Sequence, residues 1–298
     1  MMVLAAALAH GQPSRPGADA QIAALEAMVR SVNAGDAASY ARLYDAAARI
    51  TIYGGDALSG RAAIEQYEVG LLREFPGTTL AFFSAWHQRN VAVVHYGVNG
   101  KAPSGRAMGH EGLLFFRFNA SGLIDEERRY LDSLTPMAQL GALGPVPARA
   151  LPVLPAKMTS DDKPSNAEAV ALARRIVEAI NAADAATFLA SLSDDVVIDE
   201  LMCLEPFAGK AGAKRWFDMW QSAAPGATTV ITRSIGVGQS VLIESVARGT
   251  LKGALGPVTG DGAAFEVHRA LVLQMKDGRL GSLKAFMNGK EFPQPVRR

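Results

Sequence analysis

The sequence predicts an α+β fold built twice in tandem, each copy placing three helices on a curved antiparallel sheet. Three observations predict it. First, a series of landmarks recurs in order: Asn33-Ala34-Gly35-Asp36 returns as Asn181-Ala182-Ala183-Asp184, Gly60-Arg61 as Gly209-Lys210, and Pro76-Gly77 as Pro225-Gly226. Ser121-Gly122-Leu123-Ile124 likewise returns as Asp277-Gly278-Arg279-Leu280, and several landmarks in one order mark a duplicated unit. Second, each copy opens with apolar residues at helical spacing. Third, each copy closes with four strand-like runs, and helices followed by a meander of strands make an α+β unit. At 298 residues the chain suits two domains of ordinary size.

The N-terminus comes first. Met1 to Ala9 is apolar and Gly11 to Gly17 is rich in Gly and Pro, as in the core and cleavage region of a secretory signal. No Lys or Arg precedes the core, so residues 1–19 read as an extension or a signal remnant. The chain is expected to be exported if residues 1–11 belong to a signal, and cytoplasmic otherwise.

Domain 1 is placed at 20–143. Ile22, Leu25, Met28, Val29 and Val32 follow the i, i+3, i+4, i+7 pattern of a helix with one buried face. Gly35 suits the left-handed stop and Asp36 can cap the next, short helix. A β-rich piece follows at Ile50 to Tyr53. Gly60-Arg61 opens a third helix carrying Ile64 and Tyr67. Strands are expected at Thr78–Trp86, Val91–Val98, Gly112–Phe118 and Ile124–Leu131. Residues 144–164, rich in Pro and Ala, read as a partly extended linker. Domain 2, at 165–294, repeats the layout with Val170, Ala173, Ile176, Val177 and Ile180 in its first helix. A β-rich piece at Val196 to Leu201 and a third helix with Trp216 and Trp220 follow; the two tryptophans read as core or pocket wall.

Composition removes several classes of function. Hydrophobic residues at 49% and charged residues at 20% make a globular chain. Lys+Arg 30 against Asp+Glu 29 leaves a net charge of +1, which gives no global field for nucleic acid. The single cysteine, Cys203, excludes an internal disulfide and a thiolate zinc site. No apolar run reaches the roughly 18 residues of a membrane span. His87, His95 and His268 lack metal-ligand spacing, and no glycine loop for a nucleotide is present, so no metal or cofactor is expected.

The landmarks resemble a known group. Asn33-Ala34-Gly35-Asp36, Leu43-Tyr44, Leu58-Ser59-Gly60-Arg61-Ala62-Ala63-Ile64 and Phe116-Arg117-Phe118 resemble the nuclear transport factor 2-like superfamily. So do the strand from Ile124 to Asp132 and the tail Met137-Ala138-Gln139-Leu140-Gly141, whose combination looks most like the SnoaL-like polyketide cyclases. In copy two the tail is replaced by Asn288-Gly289-Lys290-Glu291. The resemblance implies two tandem cone-shaped domains, each with a pocket for a small hydrophobic molecule between helices and sheet. It also implies pairing through the sheets, as an internal pseudo-dimer or a homo-oligomer.

On a strand, residues two apart share a face. One face of the run from Gly109 carries His110, Gly112, Leu114, Phe116 and Phe118; one face of the last strand carries Glu126, Arg128, Tyr130 and Asp132. If both sets point into the cone, Asp132 matches the acid/base residue of the cyclases, which move a proton without a metal or cofactor. Such chemistry needs a desolvated carboxylate and a donor for the developing enolate. The expected catalytic set is Asp132, His110 and Tyr130, with Arg128, Phe116, Trp86, Glu200, Lys284 and Asn288 as substrate-binding residues. Two plainer readings stand beside it: Asp132 capping the Ser133–Leu140 segment, and Arg128 pairing with Asp132 or Glu126.

In copy two, Ser282, Lys284, Phe286 and Asn288 take the places of Glu126, Arg128, Tyr130 and Asp132. Glu200 falls where ketosteroid isomerases keep their catalytic aspartate, but Ile176 and Leu271 replace the donors that mechanism needs. The function expected is thus a small-molecule pocket in each cone, with cyclase- or isomerase-type acid/base chemistry in domain 1. A non-catalytic binding or interaction module is the first alternative. The second is an epoxide hydrolase of the fused-pair type, whose acids would come from Glu200 with Glu244 or Asp218.

Overall fold

The computed structural model describes residues 17–293, so the reading of residues 1–11 as a signal lies outside the described residues. Domain 1 runs α1 (Ala18–Asn33), α2 (Ala37–Ala41), β1 (Tyr44–Ile52), β2 (Ala57–Ser59), α3 (Arg61–Glu74), β3 (Thr79–Gln88), β4 (Val91–Lys101), β5 (Ala107–Phe118), β6 (Ile124–Leu131) and α4 (Leu134–Gln139). The linker adds β7 (Thr159–Asp161). Domain 2 repeats the order with α5 (Ala167–Asn181), α6 (Ala185–Ala190), β8 (Leu192–Glu200), β9 (Phe207–Ala208), α7 (Gly209–Ala223), β10 (Thr228–Val237), β11 (Ser240–Leu251), β12 (Ala254–Leu255), β13 (Val258–Thr259), β14 (Ala263–Lys276) and β15 (Arg279–Met287). A 3-10 turn, Gly289–Glu291, ends it. Among the described residues no helix is long and apolar enough to cross a membrane.

The repeated landmarks do the same work in both copies. Gly35 takes φ 67° and its counterpart Ala183 takes φ 53°, ending α1 and α5 in the left-handed region. Asp36 then accepts from the Ser39 N–H at 2.8 Å, and Asp184 from the Thr187 N–H at 3.0 Å, capping α2 and α6. Asn33 clamps the backbone of Leu80 through both its amide atoms, as Asn181 clamps Thr229. Each motif therefore fastens the first helix to the strand after the third helix.

The sheet orders are β2-β1-β6-β5-β4-β3-β7 and β10-β11-β14-β15-β8-β9. Both are antiparallel except where β1 lies parallel to β6, β8 parallel to β15, and the linker strand β7 parallel to β3. Helices cover one face of each sheet and form the two cores with it. The other faces meet each other. Trp86, Val93, Leu113, Phe115 and Tyr130 of domain 1 pack against Leu201, Ile235, Val237, Leu242, Ala270 and Phe286 of domain 2 in a third apolar cluster. Each sheet is therefore buried on both sides, and its strands carry apolar residues on both.

Candidate functional site

The concave face of the first sheet and helices α1, α3 and α4 enclose a cavity of about 420 Å³. Its wall is mostly apolar, with Met28, Leu72, Leu80, Val98, Leu114 and Met137 among the lining residues. Nine polar side chains interrupt it: Tyr40, Tyr67, Glu68, Thr78, Tyr96, His110, Arg129, Ser133 and Lys290. The half-buried ends of α3 and α4, with Leu71, Phe75, Pro136 and Leu140, form its lips.

Arg129 organises the polar floor. Its Nε donates to Glu127 Oε1 at 2.6 Å, and its Nη2 donates to Tyr40 Oη at 2.7 Å and to Glu68 Oε1 at 3.2 Å. Tyr44 donates to Glu127 Oε2 at 2.5 Å, so the 2.8 Å contact between Tyr40 and Tyr44 has Tyr40 as donor. The result is a closed ring, Arg129 to Tyr40 to Tyr44 to Glu127, that the guanidinium closes on its other side. Glu68 stands outside the ring, on the cavity wall. Burial pushes its pKa above the usual carboxylate range; Arg129 opposes the shift and the charge of Glu127 adds to it. Two carboxylates share one guanidinium here, so a proton on Glu68 is the natural way to balance the charge.

His110 lies on the same wall. Its Nδ1 faces the carbonyl of Glu111 at 3.2 Å, which fixes the proton on Nδ1 and leaves the lone pair on Nε2. Burial lowers its pKa, against the hydrogen bond to the Glu111 carbonyl and the charge of Asp132. Asp132 itself does not line the cavity. It lies on a smaller void that His110 also borders, and its Oδ1 accepts from the Leu134 and Thr135 N–H groups at 3.1 Å each. Burial raises its pKa, against those hydrogen bonds and His110. The capping reading of Asp132 is the one its contacts match.

Of the residues the sequence pointed to, His110 alone lines this cavity. The phase of β6 is the reason. β5 and β6 pair Leu114 with Arg129 and Phe116 with Glu127, so odd-numbered residues of β6 share the inner face with even-numbered residues of β5. Glu126, Arg128 and Tyr130 therefore face the second domain instead. Arg128 donates to Glu244 at 2.6 and 2.9 Å and also bonds Glu126, while Tyr130 donates to Glu244 at 2.9 Å. Trp86 is likewise an interface residue, its Nε1 donating to Ser240 at 2.9 Å. Phe116 is buried in the core of domain 1 behind the cavity wall. Lys284 bridges to Glu111 of the first domain at 2.7 Å and to Asp199 at 3.0 Å. Asn288 accepts from Ser133 Oγ and donates to the Tyr53 carbonyl at 2.8 Å, another brace across the domains.

The second cone differs. Between its helices and sheet lies a void of only about 10 Å³, lined by residues that include Ile176, Trp216, Arg269 and Leu271, at the limit for one water molecule. Trp216 and Trp220 fill the space as core. A separate cleft of about 460 Å³ opens between Leu201–Leu204, the β12–β13 hairpin and the linker. Glu200 is fully buried, with Arg269 Nη2 at 3.2 Å and the Arg269 guanidinium stacked 4.6 Å from the Trp220 ring centre. Burial raises its pKa to about 7 despite Arg269. The acids named with it lie elsewhere: Glu244 at the interface, and Asp218 on the outside of α7, bonded to Lys214. An acid pair from Glu200 with Glu244 or Asp218 is not assembled. An acid–arginine–acid set does exist, but in domain 1, as Glu68, Arg129 and Glu127.

The family model described as SnoaL-like domain matches the chain twice, at residues 25–127 and 173–281. No curated protein matches the sequence. Among solved structures, a candidate SnoaL-like polyketide cyclase from Jannaschia sp. CCS1 is 15% identical, covering 43% of this chain and 90% of that one with a TM-score of 0.39. An LEH-like epoxide hydrolase from M. tuberculosis is 18% identical over 42% of this chain and 85% of that one, with a TM-score of 0.35. A candidate polyketide cyclase from Pseudomonas putida KT2440 is 19% identical over 41% and 93%, with a TM-score of 0.36.

Proposed function

This chain belongs to the SnoaL-like domain family, which it carries twice, and from that membership we propose that domain 1 binds a small, mostly apolar carbonyl compound and moves a proton on it without a cofactor. Domain 2 is in this reading a structural partner. The observation that supports it is the single cavity wall that carries an imidazole, a buried carboxyl group and a guanidinium, His110, Glu68 and Arg129.

The chemistry follows from their states. His110 Nε2, with its lone pair free, takes a proton from the carbon beside the carbonyl. The electrons move onto the carbonyl oxygen, and the enolate that forms needs positive charge or a donor near it. Arg129 supplies the charge. Glu68, when protonated, supplies the donor and returns a proton to the product. Burial moves Glu68 up and His110 down, which brings the two proton affinities closer and lowers the cost of exchange. The experiment is exchange of α-hydrogens for deuterium, followed by proton NMR over a panel of small ketones and β-keto esters. Exchange by the native chain that drops at least about 100-fold in His110→Asn and Glu68→Gln supports the reading. Binding without exchange would leave a ligand-binding module.

A second reading, hydration of an epoxide, has one observation in its favour. Arg129 Nη2 lies 3.2 Å from Glu68 and 3.3 Å from Glu127, a guanidinium between two acids. Incorporation of labelled oxygen from water into an epoxide panel tests it.

A further inference from the structure

The cavity of domain 1 is completed by a residue of domain 2. Lys290, in the 3-10 turn after β15, is among its lining residues together with Pro136, Met137 and Leu140, and it is exposed, unlike the buried Glu68. The turn is anchored from several sides. Asn288 Oδ1 accepts from the Lys290 N–H at 3.1 Å and from Ser133 of domain 1. A Cβ on Gly289 would come within 2.2 Å of Leu134 Cδ1, so the turn seats directly on α4. Glu291 holds His268 at 2.8 Å, and Phe292 is buried against Phe265.

We propose, resting on the reading of this cavity as a ligand site, that its ligands are amphipathic anions: an apolar body inside and one negative group at the mouth facing Lys290. The charge arrangement carries this. Inside, Arg129 is matched by Glu127 and Glu68. At the mouth, Lys290 has no acidic partner among the described residues. Glu68 is the cavity's only acidic lining residue among those described, and it lies buried at the floor. A carboxylate, enolate or sulfonate at the rim meets the charge of Lys290, while a neutral molecule gains nothing there. Lys290 is thereby a specificity residue that one domain lends to the other.

The test uses two fluorescent probes with the same rings, anilinonaphthalene sulfonate and the uncharged phenylnaphthylamine, titrated into the full chain. The sulfonate should bind about fivefold tighter than the neutral probe, the size of a partly exposed ion pair. Lys290→Met and Lys290→Glu should remove and then reverse that preference, read as the ratio of the two probes' affinities in each variant, and added salt should shrink it. Val98→Trp, which fills the cavity, should abolish both signals. Equal binding of the probes, or a preference that survives Lys290→Met, overturns the proposal and leaves the cavity reading standing. Failure of both probes to bind, or binding that persists in Val98→Trp, overturns the proposal and the cavity reading together.

Discussion

Arg128 of the first domain and Glu244 of the second form a two-pronged ion pair, at 2.6 and 2.9 Å, buried between the two sheets. Tyr130 and Arg233 share the same carboxylate, and Lys284 reaches back to Glu111 on the opposite side. The two domains thus exchange a cation in each direction across an otherwise apolar interface. A buried pair of this kind adds little net stability, but losing Glu244 strips the buried Arg128 guanidinium of its two-pronged partner and leaves it only the half-buried Glu126. Glu244→Leu should therefore cost about 3 kcal/mol in urea unfolding, and Arg128→Met with Glu244→Leu should cost clearly less. A single variant as stable as the native chain would remove this view of the interface.

The ring beneath the cavity gives a second prediction. Tyr44 is fully buried, and its hydroxyl both accepts from Tyr40 and donates to Glu127. Tyr44→Phe removes two hydrogen bonds in a low-dielectric setting and leaves two buried partners under-satisfied. A loss of about 2 kcal/mol is expected, with the apolar body of the side chain retained. Chemical denaturation measures it, and a loss below about 0.5 kcal/mol would mean that the network relaxes around the gap.

The helices and their caps were legible because the periodicity and the Asn-x-x-Asp motif act locally. The phase of β6 was not. Asp125-Glu126-Glu127-Arg128-Arg129 puts acids and bases on both faces of the strand, and both faces are buried, so no alternation separates inside from outside. Register with β5 decides it, and register is a tertiary fact. Glu68 left a readable signal, since it lies four residues after Ile64 on the stripe with Tyr67 and Leu71, where a carboxylate in an apolar row is informative. Lys290 left none. Its place at the mouth of the other domain's cavity depends on how the two domains pack.

Glu200 predicts a pH effect on stability. Its pKa is raised by burial from 4.5 to about 7 in the folded chain, so the folded state binds a proton more tightly than the unfolded one. For a carboxyl group shifted upward, the stabilising contribution is complete below the unfolded value and is lost as pH rises toward the folded one. Between about pH 4.5 and 7 the native chain should lose on the order of 3 kcal/mol through this group. Glu200→Gln cannot titrate. The difference in unfolding free energy between pH 5 and pH 8 should shrink by that amount in the variant, other titrating groups being common to both proteins. An unchanged difference would mean that Arg269 holds Glu200 ionised throughout.

Asp132 and His110 separate a residue behind the wall from one on it. Asp132 accepts from two backbone N–H groups at the start of α4, and the amide oxygen of asparagine can accept from both equally. Asp132→Asn should therefore keep the cap and cost less than about 0.5 kcal/mol, whereas Asp132→Ala loses it and costs about 1 kcal/mol. Its charge also favours the protonated form of His110. Removing that charge should lower the His110 pKa further and move the acidic limb of any exchange-rate profile to lower pH, with the plateau largely kept. His110→Asn should instead lose the plateau. If Asp132→Asn abolished the exchange plateau while stability stayed unchanged, Asp132 would be the base itself, and the local structure would have to open enough to expose it to the substrate.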